Sequence, residues 1–77
     1  MSTAATEIIT LLAERVAARH GANHPHLLEI RRLAAKLPNA EDLATIRELT
    51  NGYALPPDAC LSFRALYERL AALEETR

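Results

Sequence analysis

The sequence predicts an all-α fold, a small up-down antiparallel bundle of about four helices forming a single domain over residues 1–77. Ala, Leu, Glu and Arg dominate the composition, and all four are strong helix formers. The chain has few β-branched residues, 2 Tyr, 1 Phe and no Trp, which argues against a sheet. Apolar residues recur at helical spacing in four stretches that Gly, Pro and Asn separate. Because 77 residues bury only a small core, dimerisation is a natural way to complete the bundle.

The first predicted helix runs from about Ala5 to His20, and Ser2 or Thr3 can cap its start. Gly21 is expected to end the helix in a left-handed conformation. The apolar positions of this helix are Ile8, Ile9, Leu12, Ala13 and Val16.

The second predicted helix starts at Asn23 or His24, with Asn23 as N-cap and Pro25 in the first turn. Pro38 stops it, because the residue before a proline avoids the helical region. Its apolar stripe consists of Leu27, Ile30, Leu33, Ala34 and Leu37, with Leu28 beside it.

The third predicted helix is capped by Asn39, and Asp42 three residues later makes the start similar to a capping box. Asn51-Gly52 is a common helix ending. The core face consists of Leu43, Ile46 and Leu49. The apolar corner from Tyr53 to Pro57 follows, and it either packs under its own domain or contacts a second subunit.

The fourth predicted helix runs from about Asp58 to Glu75 and has the clearest apolar stripe of the chain. That stripe consists of Phe63, Leu66, Tyr67, Leu70 and Leu73.

Charge and composition exclude several classes of function. The 9 basic and 10 acidic residues are interspersed, so the sequence lacks the basic stripe that nucleic-acid binding requires. The start of the sequence has no signal-peptide pattern, and the apolar runs are too short to span a membrane. A single cysteine, Cys60, excludes an internal disulfide and a Cys-rich zinc site. We therefore expect a cytoplasmic protein that binds neither nucleic acid nor membrane.

The three histidines, His20, His24 and His26, lie close together in the sequence and are the clearest hint of chemistry. The spacing of His20 and His24 places two ligands on one face of a continuous helix, but Gly21 and Pro25 interrupt that helix. The alternative is structural, with His20 complementing the C-terminal end of the first helix and the others as ordinary polar residues.

Cys60 near the start of the fourth helix, paired with a histidine, is a candidate nucleophile. The alternative is that Cys60 is a small buried apolar residue, and we expect the protein not to be an enzyme.

Two segments resemble the hemerythrin-like di-iron proteins that repair iron–sulfur clusters. The longer one is Ile46-Arg47-Glu48-Leu49-Thr50-Asn51-Gly52-Tyr53, then Leu55-Pro56-Pro57-Asp58-Ala59-Cys60, Phe63-Arg64-Ala65-Leu66-Tyr67, Leu70 and Leu73-Glu74. It is similar to the family's run "IR-LT-x-x-[FY]…PP-x-x-AC-x-x-[WF]-RALY-x-x-L-x-x-LE". The shorter one, His20-Gly21-Ala22-Asn23-His24-Pro25, is similar to the family's "VHG-x-x-HP" turn.

The resemblance implies a helical bundle and an iron-ligand role for His20 alone. The family has another ligand histidine upstream of the "IR-LT" run, whereas this sequence has no histidine between Leu27 and Ile46. The family's "H-x-x-KEE" motif and the His/Glu-rich tract after "LE" have no counterpart in the sequence, so most of the iron ligands are missing.

We therefore expect a small non-enzymatic helical interaction module that binds a second copy or another protein, with no cofactor in the monomer. The alternative is a metal-binding protein in which His20 and His24 of each subunit hold iron or zinc across a homodimer, since a two-fold axis repeats every ligand.

Overall fold

The computed structural model describes residues 3–37 and 39–75, and these residues form four α-helices and no strand. The helices are α1 (Thr3–His20), α2 (His26–Ala34), α3 (Ala40–Leu49) and α4 (Leu61–Glu75). Helix α1 packs against both α2 and α4, and α2 packs against α3. The predicted all-α bundle is therefore confirmed. Within the described ranges, none of the helices combines the length and the apolar character needed to cross a bilayer.

One core joins the four helices, and the predicted stripes of α2 and α4 are buried in it as expected. Leu49 was predicted to face the core, but it is 37% exposed, and Ile8, one of the apolar positions of α1, is 38% exposed. Ile8 precedes the buried Ile9, and adjacent helical side chains point about 100° apart, so the two cannot share one face. Leu49 is the last residue of α3, and this helix packs mainly against α2.

Helix α2 begins later than the sequence predicts. Asn23 is exposed and does not cap the helix, because Pro25 occupies the N-cap position, without a side-chain cap. The N–H groups of Asn23 and His24 both donate to the carbonyl of His20, at 3.1 and 2.8 Å. The backbone of Asn23 and His24 is therefore hydrogen-bonded to the last residue of α1, and α2 begins only at His26.

Gly21 ends α1 in a way that differs from the prediction. Its φ is not in the left-handed region, and its N–H donates to the carbonyl of Ala17 at 2.9 Å. A Cβ built on Gly21 would lie 2.4 Å from that carbonyl oxygen and 3.2 Å from Cδ2 of Leu28. Gly21 is therefore required because its Cα lies close to the backbone of the last turn of α1, with Leu28 of α2 nearby, and not because of a left-handed backbone.

Helix α2 also ends earlier than predicted, at Ala34. The chain continues in tight turns. The N–H of Lys36 donates to the carbonyl of Leu33, and the N–H of Leu37 donates to the carbonyl of Ala34. Leu37 is still buried, so the stripe extends past the helix. Pro38, the predicted stop signal, lies outside the described residues, as do Ser2 and the side chain of Thr3, the two predicted caps of α1.

The predicted N-cap of α3 is confirmed. Oδ1 of Asn39 accepts hydrogen bonds from the N–H groups of Glu41 and Asp42, at 2.9 and 3.2 Å. The N–H of Asn39 itself donates to the carbonyl of Lys36 at 3.3 Å, which takes the place of the reciprocal bond of a capping box.

The predicted end of α3 at Asn51-Gly52 is also confirmed. Asn51, Gly52 and Tyr53 have φ values of 57°, 74° and 66°, so three consecutive residues are left-handed. The N–H of Gly52 donates to the carbonyl of Arg47 at 2.9 Å, as in a Schellman ending. The hydroxyl of the buried Thr50 accepts from the N–H of Tyr53 at 2.9 Å and donates to the carbonyl of Arg47. This local bonding holds Tyr53 in a conformation that favours glycine.

Helix α4 begins at Leu61, three residues after the predicted start at Asp58. The N–H of Ala59 donates to the carbonyl of Pro56, and the N–H of Arg64 makes the first helical bond, to the carbonyl of Cys60. Asp58 and Cys60 therefore precede α4. Cys60 packs against the core immediately before the N-terminal end of this helix.

Candidate functional site

The three histidines lie at the junction of α1 and α2, and they face the segment that leads into α4. His20 is the last residue of α1, His24 lies in the connection, and His26 is the first residue of α2. Each imidazole Nε2 lies within hydrogen-bond distance of a side chain 34 to 41 residues later in the chain. We call these three residues the histidine cluster.

Phe63 of α4 packs against two members of the histidine cluster, His20 and His24. Its ring is fully buried, and its centroid lies 5.1 Å from that of His20 and 5.7 Å from that of His24, both edge to face. The ring of Tyr67 packs on Phe63 at 5.1 Å, again edge to face. These contacts fix the orientation of the imidazole rings, because aromatic pairs favour this geometry.

His20 pairs with Cys60. Nε2 of His20 lies 3.3 Å from Sγ of Cys60, and both residues are half-buried. The sequence raised Cys60 with a histidine as a candidate pair, and the packing of α1 against α4 brings the two together. At this distance the thiol and the imidazole can share a proton or be ligands of one metal ion.

His24 pairs with Asp58, and its Nε2 lies 3.1 Å from both carboxylate oxygens. The His24 side chain is 20% exposed and that of Asp58 is 51% exposed. The hydrogen bond from His24 holds the pKa of Asp58 below its usual value, and positive charge on His24 and His20 acts in the same direction. Because the pair is open to solvent, its contribution to stability is small.

His26 pairs with Tyr67, with Nε2 and the hydroxyl oxygen 3.0 Å apart. Burial lowers the pKa of His26, and the nearby His24 lowers it further. Burial also raises the pKa of Tyr67 to about 12. Both groups are therefore neutral at neutral pH, and the pair is a hydrogen bond between two uncharged side chains.

The ligands that the sequence predicted, His20 and His24, lie at the same end of the bundle with ring centroids 6.4 Å apart. Their Nε2 atoms are directed at different side chains, Cys60 for one and Asp58 for the other. In the part of the chain that the structure describes, no three His, Cys, Asp or Glu side chains are arranged to hold a metal ion. One copy therefore offers a pair of ligands rather than a complete site.

Sequence reasoning missed Asp58 and Tyr67 as partners of the histidine cluster. Asp58 was assigned to the first turn of a helix, and Tyr67 was assigned to the apolar stripe, where it does lie. No local signal in the sequence links either residue to a histidine, because the contacts depend on the packing of α4 beside the junction.

An open groove of about 280 Å³ lies beside the histidine cluster. Its apolar side includes Leu49 and Leu55, which are 37% and 38% exposed. The apolar corner is therefore only partly packed under its own domain. The lining residues are His24, His26, Leu49, Thr50, Asn51, Ala54, Leu55, Pro56 and Tyr67.

A second groove, of about 470 Å³, lies between α1 and the end of α2. Its most exposed apolar residue is Leu11, at 64%. It contains neither a histidine nor the cysteine, so we assign it no chemical role. Its lining residues are Thr6, Glu7, Thr10, Leu11, Ala34, Ala35 and Leu37.

Comparison with known proteins gives no relative: no family model matches the chain, and neither a curated protein nor a solved structure is detectably similar to it.

Proposed function

We propose that this chain is a small non-enzymatic helical interaction module and that its partner is a second copy of the same chain. The observation that carries the proposal is the groove beside the histidine cluster. Leu49 occupies a core-facing position of α3 and Leu55 belongs to an apolar corner, yet each is more than a third exposed. A second protein surface over the groove would bury both side chains.

The size of the chain favours self-association. A domain of 77 residues buries a small core, and association is a common source of additional burial for such chains.

Light scattering of the untagged chain over a concentration series tests this proposal. We expect a dimer that dissociates on dilution, and we expect Leu55→Asp to weaken association because it places a charge on the apolar side of the groove. Leu11→Asp is the matched control, since Leu11 is more exposed and lines the other groove, between α1 and the end of α2. A monomer at every concentration, or equal effects of the two substitutions, would contradict the proposal.

The resemblance to hemerythrin-like iron–sulfur cluster repair proteins supports a partner that handles iron or redox chemistry. This extension predicts that the module also associates with such a protein. A pull-down with metal-free protein tests it, and failure to retain any iron-handling protein would count against it.

The second candidate is a metal-binding protein whose site is completed across the homodimer through His20 and His24. It is favoured by the position of both imidazoles at one end of the bundle, with centroids 6.4 Å apart and both rings half-buried. A two-fold axis would supply four imidazoles from two chains. Elemental analysis of untagged protein tests it: we expect iron or zinc in a fixed ratio to the chain, lost in His20→Gln and in His24→Gln.

A further inference from the structure

We propose that Cys60, and not His24, is the residue that shares a metal ion with His20, and that two copies of this pair form a tetrahedral Cys₂His₂ site for Zn²⁺. This inference rests on the metal-binding candidate and on a second copy of the chain. It replaces His24 by Cys60 as a ligand, and it therefore assigns Zn²⁺ where that candidate allowed iron or zinc. A ligand set of thiolates and imidazoles favours Zn²⁺ over the iron that an oxygen-rich site binds.

The distance between the two ligand atoms supports this assignment. Typical Zn–S and Zn–N bonds of about 2.3 and 2.0–2.1 Å, at a tetrahedral angle, place the sulfur and nitrogen about 3.5 Å apart. Nε2 of His20 and Sγ of Cys60 are 3.3 Å apart. The separation of the two atoms is therefore within a few tenths of an ångström of the one that a shared Zn²⁺ requires.

The pair is also held in place by the fold. His20 is the last residue of α1 and its ring packs edge to face on the buried Phe63. Cys60 packs against the core, and its carbonyl accepts the first helical bond of α4. Because α1 and α4 pack against each other, the last residue of α1 and the residue immediately before α4 are held at a fixed separation.

His24 is less suited to be the second ligand. Its Nε2 is directed at the Asp58 carboxylate at 3.1 Å, and its ring centroid lies 6.4 Å from that of His20. For His24 to join His20 on one ion, its ring would have to leave Asp58, whereas Cys60 is already in position.

The site needs a second chain because, among the described residues, no third ligand converges on the pair. Both residues are half-buried, so one side of the pair is open to a partner. A two-fold axis beside it supplies the same His20 and Cys60 again, which completes four-fold coordination. Each thiol that binds gives its proton to solvent or buffer, and no oxidation or reduction takes place.

Titration of the untagged chain with Co²⁺, under a non-thiol reductant, tests the proposal. Co²⁺ substitutes for Zn²⁺ and reports thiolate ligation by a charge-transfer band in the near ultraviolet and tetrahedral geometry by its visible bands. We expect saturation at one ion per two chains, displacement by Zn²⁺, and a dimer that dissociates at a lower protein concentration when the metal is bound. Bound Zn²⁺ is also expected to protect Cys60 from alkylation.

Four variants separate the possible ligands, with helicity measured by circular dichroism as the control for folding. Cys60→Ser and His20→Gln are expected to lower affinity by more than about 100-fold, since even outer-shell changes at metal sites cost roughly 10–100-fold. His24→Gln and His26→Gln are expected to keep the charge-transfer band.

Three results would overturn the inference. The first is Co²⁺ binding without a charge-transfer band and unaffected by Cys60→Ser. If that binding is lost in His24→Gln, the site is the histidine site of the metal-binding candidate, which then stands without Cys60. The second is saturation at one ion per chain. The third is no binding of either ion, which would exclude both metal proposals while leaving the interaction module intact.

Discussion

The hydroxyl of Tyr53 donates a 2.7 Å hydrogen bond to Oε1 of Glu74, and so connects the turn after α3 to the end of α4. Nη1 of Arg47 donates to the other oxygen of the same carboxylate, also at 2.7 Å. The ring of Tyr53 packs on that of Tyr67 at 6.4 Å. Glu74 is 23% exposed, and its carboxylate connects the end of α4 to the last turn of α3 and to the turn that follows it.

Replacement of Tyr53 by Phe is expected to destabilise the fold by about 1–2 kcal/mol. The substitution keeps the ring but removes a hydrogen bond to a charged acceptor, and such bonds contribute about 1.5–3 kcal/mol when buried and less when part-exposed. Glu75→Gln is the control, because Glu75 is exposed and next to Glu74. Urea denaturation measures both free energies of unfolding. Equal midpoints for Tyr53→Phe and the unmodified chain would show that the bond contributes nothing.

Alanine substitutions at Asn39 and at Asn23 test which of the two asparagines caps a helix. Asn39→Ala is expected to lower the free energy of unfolding by about 1 kcal/mol, because Oδ1 of Asn39 satisfies two N–H groups at the start of α3. Asn23→Ala is expected to change it by less than about 0.5 kcal/mol, since Asn23 is exposed and caps no helix. Thermal melts of both variants decide the matter, and a larger loss at Asn23 would contradict the helix starts described above.

The two glycines are expected to respond differently to alanine. Gly52→Ala meets no atom within 4 Å and is expected to cost about 1 kcal/mol from its left-handed φ of 74°. Gly21→Ala places Cβ 2.4 Å from the carbonyl oxygen of Ala17, so we expect a larger loss, of about 1–3 kcal/mol. A second substitution, Leu28→Ala, is not expected to restore stability, because the closer contact is with backbone. Denaturation midpoints of the three variants test this order.

Alkaline pH is expected to unfold the protein through its buried tyrosines. Burial raises the pKa of Tyr67 to about 12, and burial together with the hydrogen bond to Glu74 raises the pKa of Tyr53. A raised pKa means that the folded state keeps the neutral phenol, so the stabilisation is complete below about pH 10, where both states are protonated. It is lost as the pH rises from about 10 to about 12.

Parallel measurements of tyrosinate absorbance and helicity test this prediction. We expect ionisation and loss of helix to occur together above pH 10, and we expect Tyr67→Phe to make stability less dependent on pH in this range. Tyrosines that ionise near pH 10 while the helices remain intact would contradict it.

Much of the fold could be predicted because its determinants are local. The stripes of α2 and α4, the cap at Asn39 and the ending at Asn51-Gly52 each depend on residues within one or two helical turns. Two of the errors have different causes. Gly21 is needed because a Cβ would meet the carbonyl oxygen of Ala17 at the end of α1. Asp58 pairs with His24, 34 residues earlier in the chain, and lies outside the helix it was expected to start.

Local sequence patterns suffice to establish that the chain is helical, which faces of α2 and α4 are buried, and that the imidazoles are concentrated within seven residues. What those imidazoles contact depends on how the helices pack. His20 and Cys60 are 40 residues apart in the chain, and no periodicity or propensity connects residues at that separation. They meet because apolar burial packs α1 against α4, and the position of this packing along the two helices places the nitrogen beside the sulfur.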